Sequence, residues 1–274
     1  MHADVACDLP MLYHRTEDHY FAATCSLHRR HNACINAYLT DEALDPFNLL
    51  FIRVGSGPLG DAVAAMLDVI RGTTLDIRVV IHEEKVEGLR DVLTELGFQA
   101  AEVTTAMVLE QSHLVSPMSD SAVQISLTQH LDDWAAPLGN AFSMLPEGLA
   151  RYQARHERAL EAGEALYHFI LSSEGQVRSS LTLSMCDGEA RLNDVGTLMD
   201  SRGRGYATQL IQAALRHATS LGAERCFLEA STQGLPLYRT LRFARLFDYQ
   251  SFVRGPLAAP SSEGHFDLPA ILEP

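Results

Sequence analysis

The chain has 274 residues, enough for one large domain or two ordinary ones, and its mix of 47% hydrophobic and 20% charged residues is that of a globular protein. A formal net charge of -14 argues against nucleic acid or an anionic membrane surface as partner and suits a cationic or neutral small molecule. The apolar runs are too short to span a bilayer, and Met1-His2-Ala3-Asp4 opens without the basic, then apolar, pattern of a signal peptide, so a cytoplasmic location is the expectation. Five scattered cysteines, Cys7, Cys25, Cys34, Cys186 and Cys226, form no CxxC pair and are expected to be reduced thiols.

In chain order, the first clear pattern is a strand at 48–54, followed by a glycine turn, Gly55-Ser56-Gly57-Pro58-Leu59-Gly60, and a helix through Ala62, Met66 and Ile70. A strand at 77–82, a helix at 86–96 and a strand at 104–109 follow. Residues 111–120, with Ser112, Ser116, Pro117 and Ser119 and no apolar period, read as a linker.

Beyond it, 122–128 alternates like a strand, and 131–142 and 147–161 read as helices. Strands are expected at 165–172, 176–185 and 189–198, with turns at Ser173-Glu174-Gly175 and Cys186-Asp187-Gly188. A helix at 206–221 carries Leu210, Ile211, Ala214, Leu215 and Ala218 at helical spacing and stops at Gly222. A strand at 225–230, a short helix at 236–241 and closing strands over 244–253 complete the unit, and the last twenty residues, 255–274, read as a tail. The first half repeats the later part of this order, Leu96-Gly97-Phe98 answering Leu241-Arg242-Phe243, as if one fold were used twice with the first copy short of its early strands.

The chemistry concentrates at 194–208. A strand enters a glycine turn, Arg202-Gly203-Arg204-Gly205, which opens a helix at Tyr206-Ala207-Thr208. The first amides of a helix lack internal partners and, with the helix dipole, favour an anion such as phosphate. Gly203 and Gly205 let that backbone approach a ligand closely, and Arg202 and Arg204 add charge.

Arg-x-x-Gly-x-Ala at 202–207 resembles the acetyl-CoA pyrophosphate loop of the GNAT superfamily of N-acetyltransferases. Its context strengthens the resemblance: the Asp-Val-Gly-Thr-Leu strand before it, the Cys-Phe-Leu-Glu-Ala-Ser strand after the helix, and a stretch ending Leu-Tyr-Arg-Thr-Leu-Arg-Phe at 237–243 that is similar to the family's second signature. The resemblance spans roughly 122–254. It implies an α/β fold on a mixed sheet, here a tandem GNAT-like fold with a degenerate first copy at 1–115, a catalytic domain at 120–256 and a tail at 257–274.

The resemblance also implies roles. Acetyl-CoA is the acyl donor, and the acceptor is the amine of a small molecule that attacks the thioester directly. Pantetheine would pair with Val195, Gly196 and Thr197, and the pyrophosphate would meet the loop from Arg202 to Thr208. Tyr238 would protonate the departing thiolate, chemistry that suits a phenol. Asp194 and Glu229 are alternative bases, with a water relay as a third route. Two positions depart from the pattern: Arg242 stands where glycine is usual, and Ser231 stands in place of a common asparagine as a candidate polar contact. In the first half, Gly57, Pro58 and Asp61 weaken the equivalent turn for phosphate, and Leu93-Thr94 replaces the Leu-Tyr pair, so that copy is expected to bind no cofactor.

Cys25, His28, His31 and Cys34 are metal-ligand types spaced by three, with His14 and His19 as candidate additions. On a helix that spacing drifts around the axis, so the reading is a partly buried helix with surface histidines and no metal. No HExxH, catalytic serine triad or P-loop pattern is present. The rival to an enzyme is a non-catalytic acyl-CoA sensor or partner-binding protein on the same fold. A donor other than acetyl-CoA and a homodimer both stay open.

Overall fold

The structure, a computed structural model, describes residues 8–32, 34–43, 45–54, 59–110 and 123–254. The linker at 111–120, the tail, Cys7 and the first-half turn residues Gly57 and Pro58 lie outside the described residues.

The elements run α1 (Leu9–Thr24), β1 (Leu27–Arg30), β2 (Ile35–Leu39), β3 (Leu49–Ile52), α2 (Leu59–Arg71), β4 (Arg78–His82), α3 (Glu83–Glu95) and β5 (Phe98–Glu110). After the linker come β6 (Val123–Leu127), α4 (Leu131–Ala141), α5 (Pro146–Glu161), β7 (Leu166–Ser173), β8 (Gln176–Cys186), β9 (Glu189–Thr197), α6 (Tyr206–Ser220), β10 (Arg225–Ser231), α7 (Leu235–Thr240) and β11 (Ala244–Arg254). The strands make one mixed sheet in the order β1-β2-β3-β4-β11-β5-β10-β9-β8-β7-β6.

Two parallel pairs mark the repeat. β3 and β4 pair in parallel around the crossover helix α2, and β9 and β10 do so around α6. Each unit then continues through a helix into a long strand that crosses into the other half: β5 lies against β10, and β11 against β4, with β5 and β11 antiparallel to each other at the centre. The early strands β1 and β2, which the sequence reading leaves out of the first copy, are present. The turn equivalence is visible in the backbone. Gly97 has φ +81° and Arg242 φ +69°, so the arginine at the glycine position adopts the same left-handed conformation instead of altering the turn.

Alternation along the strands divides the core between two faces. Val79, Ile81, Leu50 and Ile52 pack with Met66 of α2 and Leu89 of α3, and Cys226, Leu228 and Ala230 pack with Leu210 and Ala214 of α6. The residues between them, Leu49, Phe51, Val80 and Phe227, face the other way and are covered by Tyr13 and Phe21 of α1. On that same side α4 and α5 bury Trp134 and Tyr152 over Ile170.

Helix α1 starts cleanly, with Asp8 accepting from the Met11 amide and Pro10 in the first turn. Glu17, fully buried, clamps it to the sheet through Arg53, at 2.5 and 3.0 Å, and accepts from the Tyr249 hydroxyl at 3.2 Å. Burial works against that carboxylate, but Arg53 beside it holds its pKa down to about 2. The Cys25–Cys34 stretch is not a helix. It is an edge hairpin, β1 and β2, closed by Asn32 accepting from the Cys34 and Ile35 amides. The exposed His28, Arg29 and Arg30 face solvent on an edge strand, a placement that discourages edge pairing. Among the described residues no group of metal-ligand side chains converges.

Candidate active site

The site arises where the sheet opens. β9 and β10 pair from Glu189 opposite Arg225 only as far as Leu192 opposite Leu228. Beyond that point β9 stays with β8, pairing Gly196 and Thr197, while β10 stays with β5, pairing Glu229 to Ser231. The two inner edges diverge. The ladder between β8 and β9 also slips between Ser180 and Thr182, so that Asp194 and Val195 bulge outward and Asp194 takes φ +55°. A cleft with a volume of about 110 Å³ occupies this fork on the α1 side, and Asp194, Val195, Glu229 and Tyr238 all line it.

At the end of the fork β9 leads through a short turn, Met199–Ser201, into the glycine loop. Gly203 and Gly205 have φ +74° and +76°, and Gly205 is the N-cap of α6 without a side-chain cap. The amides of Tyr206, Ala207 and Thr208 therefore open the helix, and the space that a Cβ on either glycine would enter is clear to 4 Å. A phosphate fits this cradle on chemical grounds, since donors, helix dipole and bare backbone coincide. The loop's other predicted members do local work. The Tyr206 hydroxyl donates to Ser173 at 3.3 Å, and Arg202 reaches the Ala141 carbonyl at 3.4 Å. Gly196 is needed for a second reason: a Cβ there would come within 2.9 Å of Leu138 on α4. Thr197 shares a hydrogen bond with Ser179 at 2.9 Å. Ser231 accepts from the Gly234 amide at 3.0 Å and so starts α7.

Tyr238, on α7, is 7% exposed and packs edge-on to Phe243. Burial pushes its phenol up, which keeps it protonated at neutral pH. Glu229 accepts from Thr104 at 2.5 Å and Tyr13 at 3.3 Å, with Arg191 at 3.8 Å. Burial pushes its carboxyl above the usual range, Glu17 adding to the push.

Asp194 sits in a different setting, one that no sequence motif indicated. Its oxygens accept from Tyr152 at 2.6 Å and Tyr20 at 2.7 Å, and those two hydroxyls are 2.8 Å from each other. The two hydroxyl protons cover two of these three contacts. Burial pushes the Asp194 carboxyl up, against the tyrosine hydroxyls, which hold it down. Behind this ring His156 and His168 face each other at 2.9 Å, with Trp134 fully buried against both rings. Trp134 thus lies in the core behind Tyr152, and Tyr152 reaches the cleft. The site is also built from the first half, because Tyr20, Phe21, Phe47 and Thr104 share the lining with the fork.

Residues 130–243 match the family described as "Acetyltransferase (GNAT) family". This segment is a GNAT acetyltransferase domain. Similar structures agree on the fold. A GCN5-related N-acetyltransferase from Kribbella flavida has a TM-score of 0.69 at 16% identity, covering 91% of this chain and 97% of that one. A tandem GNAT protein from the clavulanic acid biosynthesis pathway has a TM-score of 0.56 at 14% identity, over 81% of this chain and 79% of its own. A GCN5-related N-acetyltransferase from Sphaerobacter thermophilus has 0.59 at 15%, over 80% and 76%. None of the curated proteins matches the sequence. The GNAT match gives the domain the general chemistry of acyl transfer, and the fork, glycine loop and α7 tyrosine all fall on GNAT residues or at their border. Among the described residues no helix is long and apolar enough to cross a membrane.

Proposed function

We propose that the protein is an acetyl-CoA-dependent N-acetyltransferase acting on the amine of a small molecule, with 120–256 as its catalytic domain and a first half that binds no cofactor. The observation that carries this reading is the fork: two strands of one parallel pair part beside a helix N-terminus and expose a carboxylate and a phenol to the same cleft. Acetyl-CoA, when bound, supplies an acyl group as a thioester open to direct attack.

The chain's own residues supply the rest. Amides of Gly203 to Thr208 hold the pyrophosphate, and the inner edge of β9 at Val195 to Thr197 pairs with the pantetheine arm. Glu229 takes the proton from the attacking amine. A carboxylate whose pKa is raised by burial is a stronger base, and an ammonium is no nucleophile until it loses its proton. Tyr238 gives a proton to the leaving thiolate. Asp194, bound into its tyrosine ring, fixes the bulge that parts the strands and holds Tyr20 and Tyr152 in the wall.

The experiment is a screen of amines with acetyl-CoA that reads free thiol, run beside calorimetry of CoA. CoA binding with thiol release on an amine, lost in Glu229→Gln, supports the reading. CoA binding with no turnover on any amine favours the acyl-CoA sensor.

A further inference from the structure

The proposed reaction needs an acceptor pocket, and the fork alone does not make one. On one side of the cleft stand Asp194, Glu229 and Tyr238. The first half adds an apolar and aromatic set to the lining, Phe21 of α1, Phe47 before β3, Leu49 and Phe51 of β3 and Val80 of β4, beside its polar members Tyr20, Arg78, Glu102 and Thr104. Phe21 and Phe51 lie 5.3 Å apart, and Phe47 stacks on Tyr152 at 4.5 Å with 12° between the planes, so each of the three rings is held by an aromatic neighbour. A single water needs roughly 10–15 Å³, so about 110 Å³ admits a group of several heavy atoms.

The charges that line the cleft point the same way. Arg78 is ion-paired with Glu102, and Arg191 donates to Asn193 at 3.0 Å and to Tyr13 at 3.3 Å beside Glu229. Each cation has a carboxylate neighbour, which lowers what a carboxylate substituent on the acceptor would gain, although Nε of Arg78 and Nη1 of Arg191 are buried without a hydrogen-bond partner. A body rich in hydroxyls or further amines would lose its water against the phenylalanines without replacing those hydrogen bonds. A cationic head, by contrast, meets Glu229 and the faces of aromatic rings.

Building on the acetyltransferase reading, we propose that the acceptor is a small primary amine carried on a single aromatic or aliphatic body. That body lies on the Phe21–Phe47–Phe51 wall given by the first half, and its amino group is directed to Glu229. The first half is on this view the specificity wall of the enzyme, and its retention of the fold without a cofactor loop follows from that task.

The test compares 2-phenylethylamine with spermidine and glucosamine on the full chain, both as acceptors with acetyl-CoA and as ligands of the CoA-bound protein by calorimetry. Burial of an aromatic group is worth roughly tenfold to a hundredfold in affinity. The expected result is therefore a kcat/KM for 2-phenylethylamine at least ~10-fold above the other two, in line with that burial. Phe47→Ala and Phe21→Ala should each reduce that preference, with folding checked by circular dichroism so that one failed variant leaves the other. Equal or better use of spermidine or glucosamine overturns the proposal and leaves acetyl transfer standing. An unchanged preference in both phenylalanine variants also overturns it. If CoA binds but no amine is turned over, the transfer reading falls instead. Calorimetry then decides the pocket: 2-phenylethylamine binding that weakens in Phe47→Ala supports it, and no binding overturns it.

Discussion

Replacing His168 by Gln should flatten the acid side of the protein's stability curve. His156 and His168 are 0% and 2% exposed and sit ring to ring at 2.9 Å, under Trp134. Burial holds both down to about 3, with Arg155 adding to the effect on His156 and His156 adding to that on His168. In the unfolded chain a histidine titrates near 6.5, so between pH 6.5 and 3 the unfolded state binds protons that the folded state refuses. Folded values that are lowered give stability that is fully present above about 6.5 and is lost as pH falls toward 3. Between pH 7 and 5 each such titration removes roughly 2 kcal/mol. Asp194 works in the opposite sense, since its raised folded pKa favours folding below its unfolded value and loses that contribution as pH rises through the folded one. It is present in both proteins, and His168 is only a minor contributor to its shift, after burial and the hydroxyl hydrogen bonds. Urea melts at pH 7, 6 and 5 give the two slopes. His168→Gln should lose less stability over that interval than the parent, by roughly 2 kcal/mol. Equal losses, within about 0.5 kcal/mol, would refute the picture of a buried neutral imidazole behind the site.

Four further outcomes are expected. Arg242→Gly should stabilise by about 0.5–1 kcal/mol, because φ +69° strains any residue with a Cβ, and a thermal melt should rise by a few degrees. Tyr238→Phe keeps the ring and loses the proton, so turnover should fall roughly 10²–10⁴-fold with CoA affinity unchanged in calorimetry; full activity removes Tyr238 from the mechanism. Gly205→Val should abolish CoA binding in a folded protein, through both φ +76° and the blocked approach to the α6 amides, and Arg202→Ala should weaken it less. Removal of residues 1–118 takes away β5 and β4, leaving β10 with an unpaired edge and β11 with no partner strand, so the remainder should fail to give a cooperative melt.

Much of the second half was legible because its signals are local. The spacing of Leu210, Ile211, Ala214 and Leu215, the glycines at 203 and 205 and the stop at Gly222 each dictate backbone without help from distant residues, and all fall in or beside α6 as read. The glycine loop, Asp194, Glu229 and Tyr238 are candidates read from the same local context, and the fork brings the three side chains to one cleft. What escaped is whatever depends on the other half. α1 buries Tyr13, Thr16, Glu17, Tyr20 and Thr24, a helical stripe with the right period but made of polar and amphipathic residues, so an aliphatic count passes over it. Asp8 and Pro10 were its only local markers. The Cys25–Cys34 stretch has a spacing of three that invites a helix, yet Asn32 closes a hairpin there, a turn signal outweighed by the histidine and cysteine pattern.

The exchange of β5 and β11 was beyond any local signal, since a strand reads the same whichever neighbour it joins. Its consequence for the site is direct. With β5 beside β10, Thr104 donates to Glu229, and with β4 and β3 alongside, Val80 and Phe51 face the same cleft. The proposed base is therefore set by a side chain 125 residues away in sequence. Thr104→Val removes the hydroxyl and keeps the branched shape, leaving Glu229 with Tyr13 and Arg191 as its polar neighbours. A lost charge-assisted hydrogen bond makes the charged form costlier, so the carboxyl should rise further. The low-pH limb of the kcat/KM profile should move to higher pH in Thr104→Val if Glu229 is the base, while CoA affinity stays unchanged. A profile that does not move, with the variant folded and active, would remove Glu229 from that role and return the proton to water.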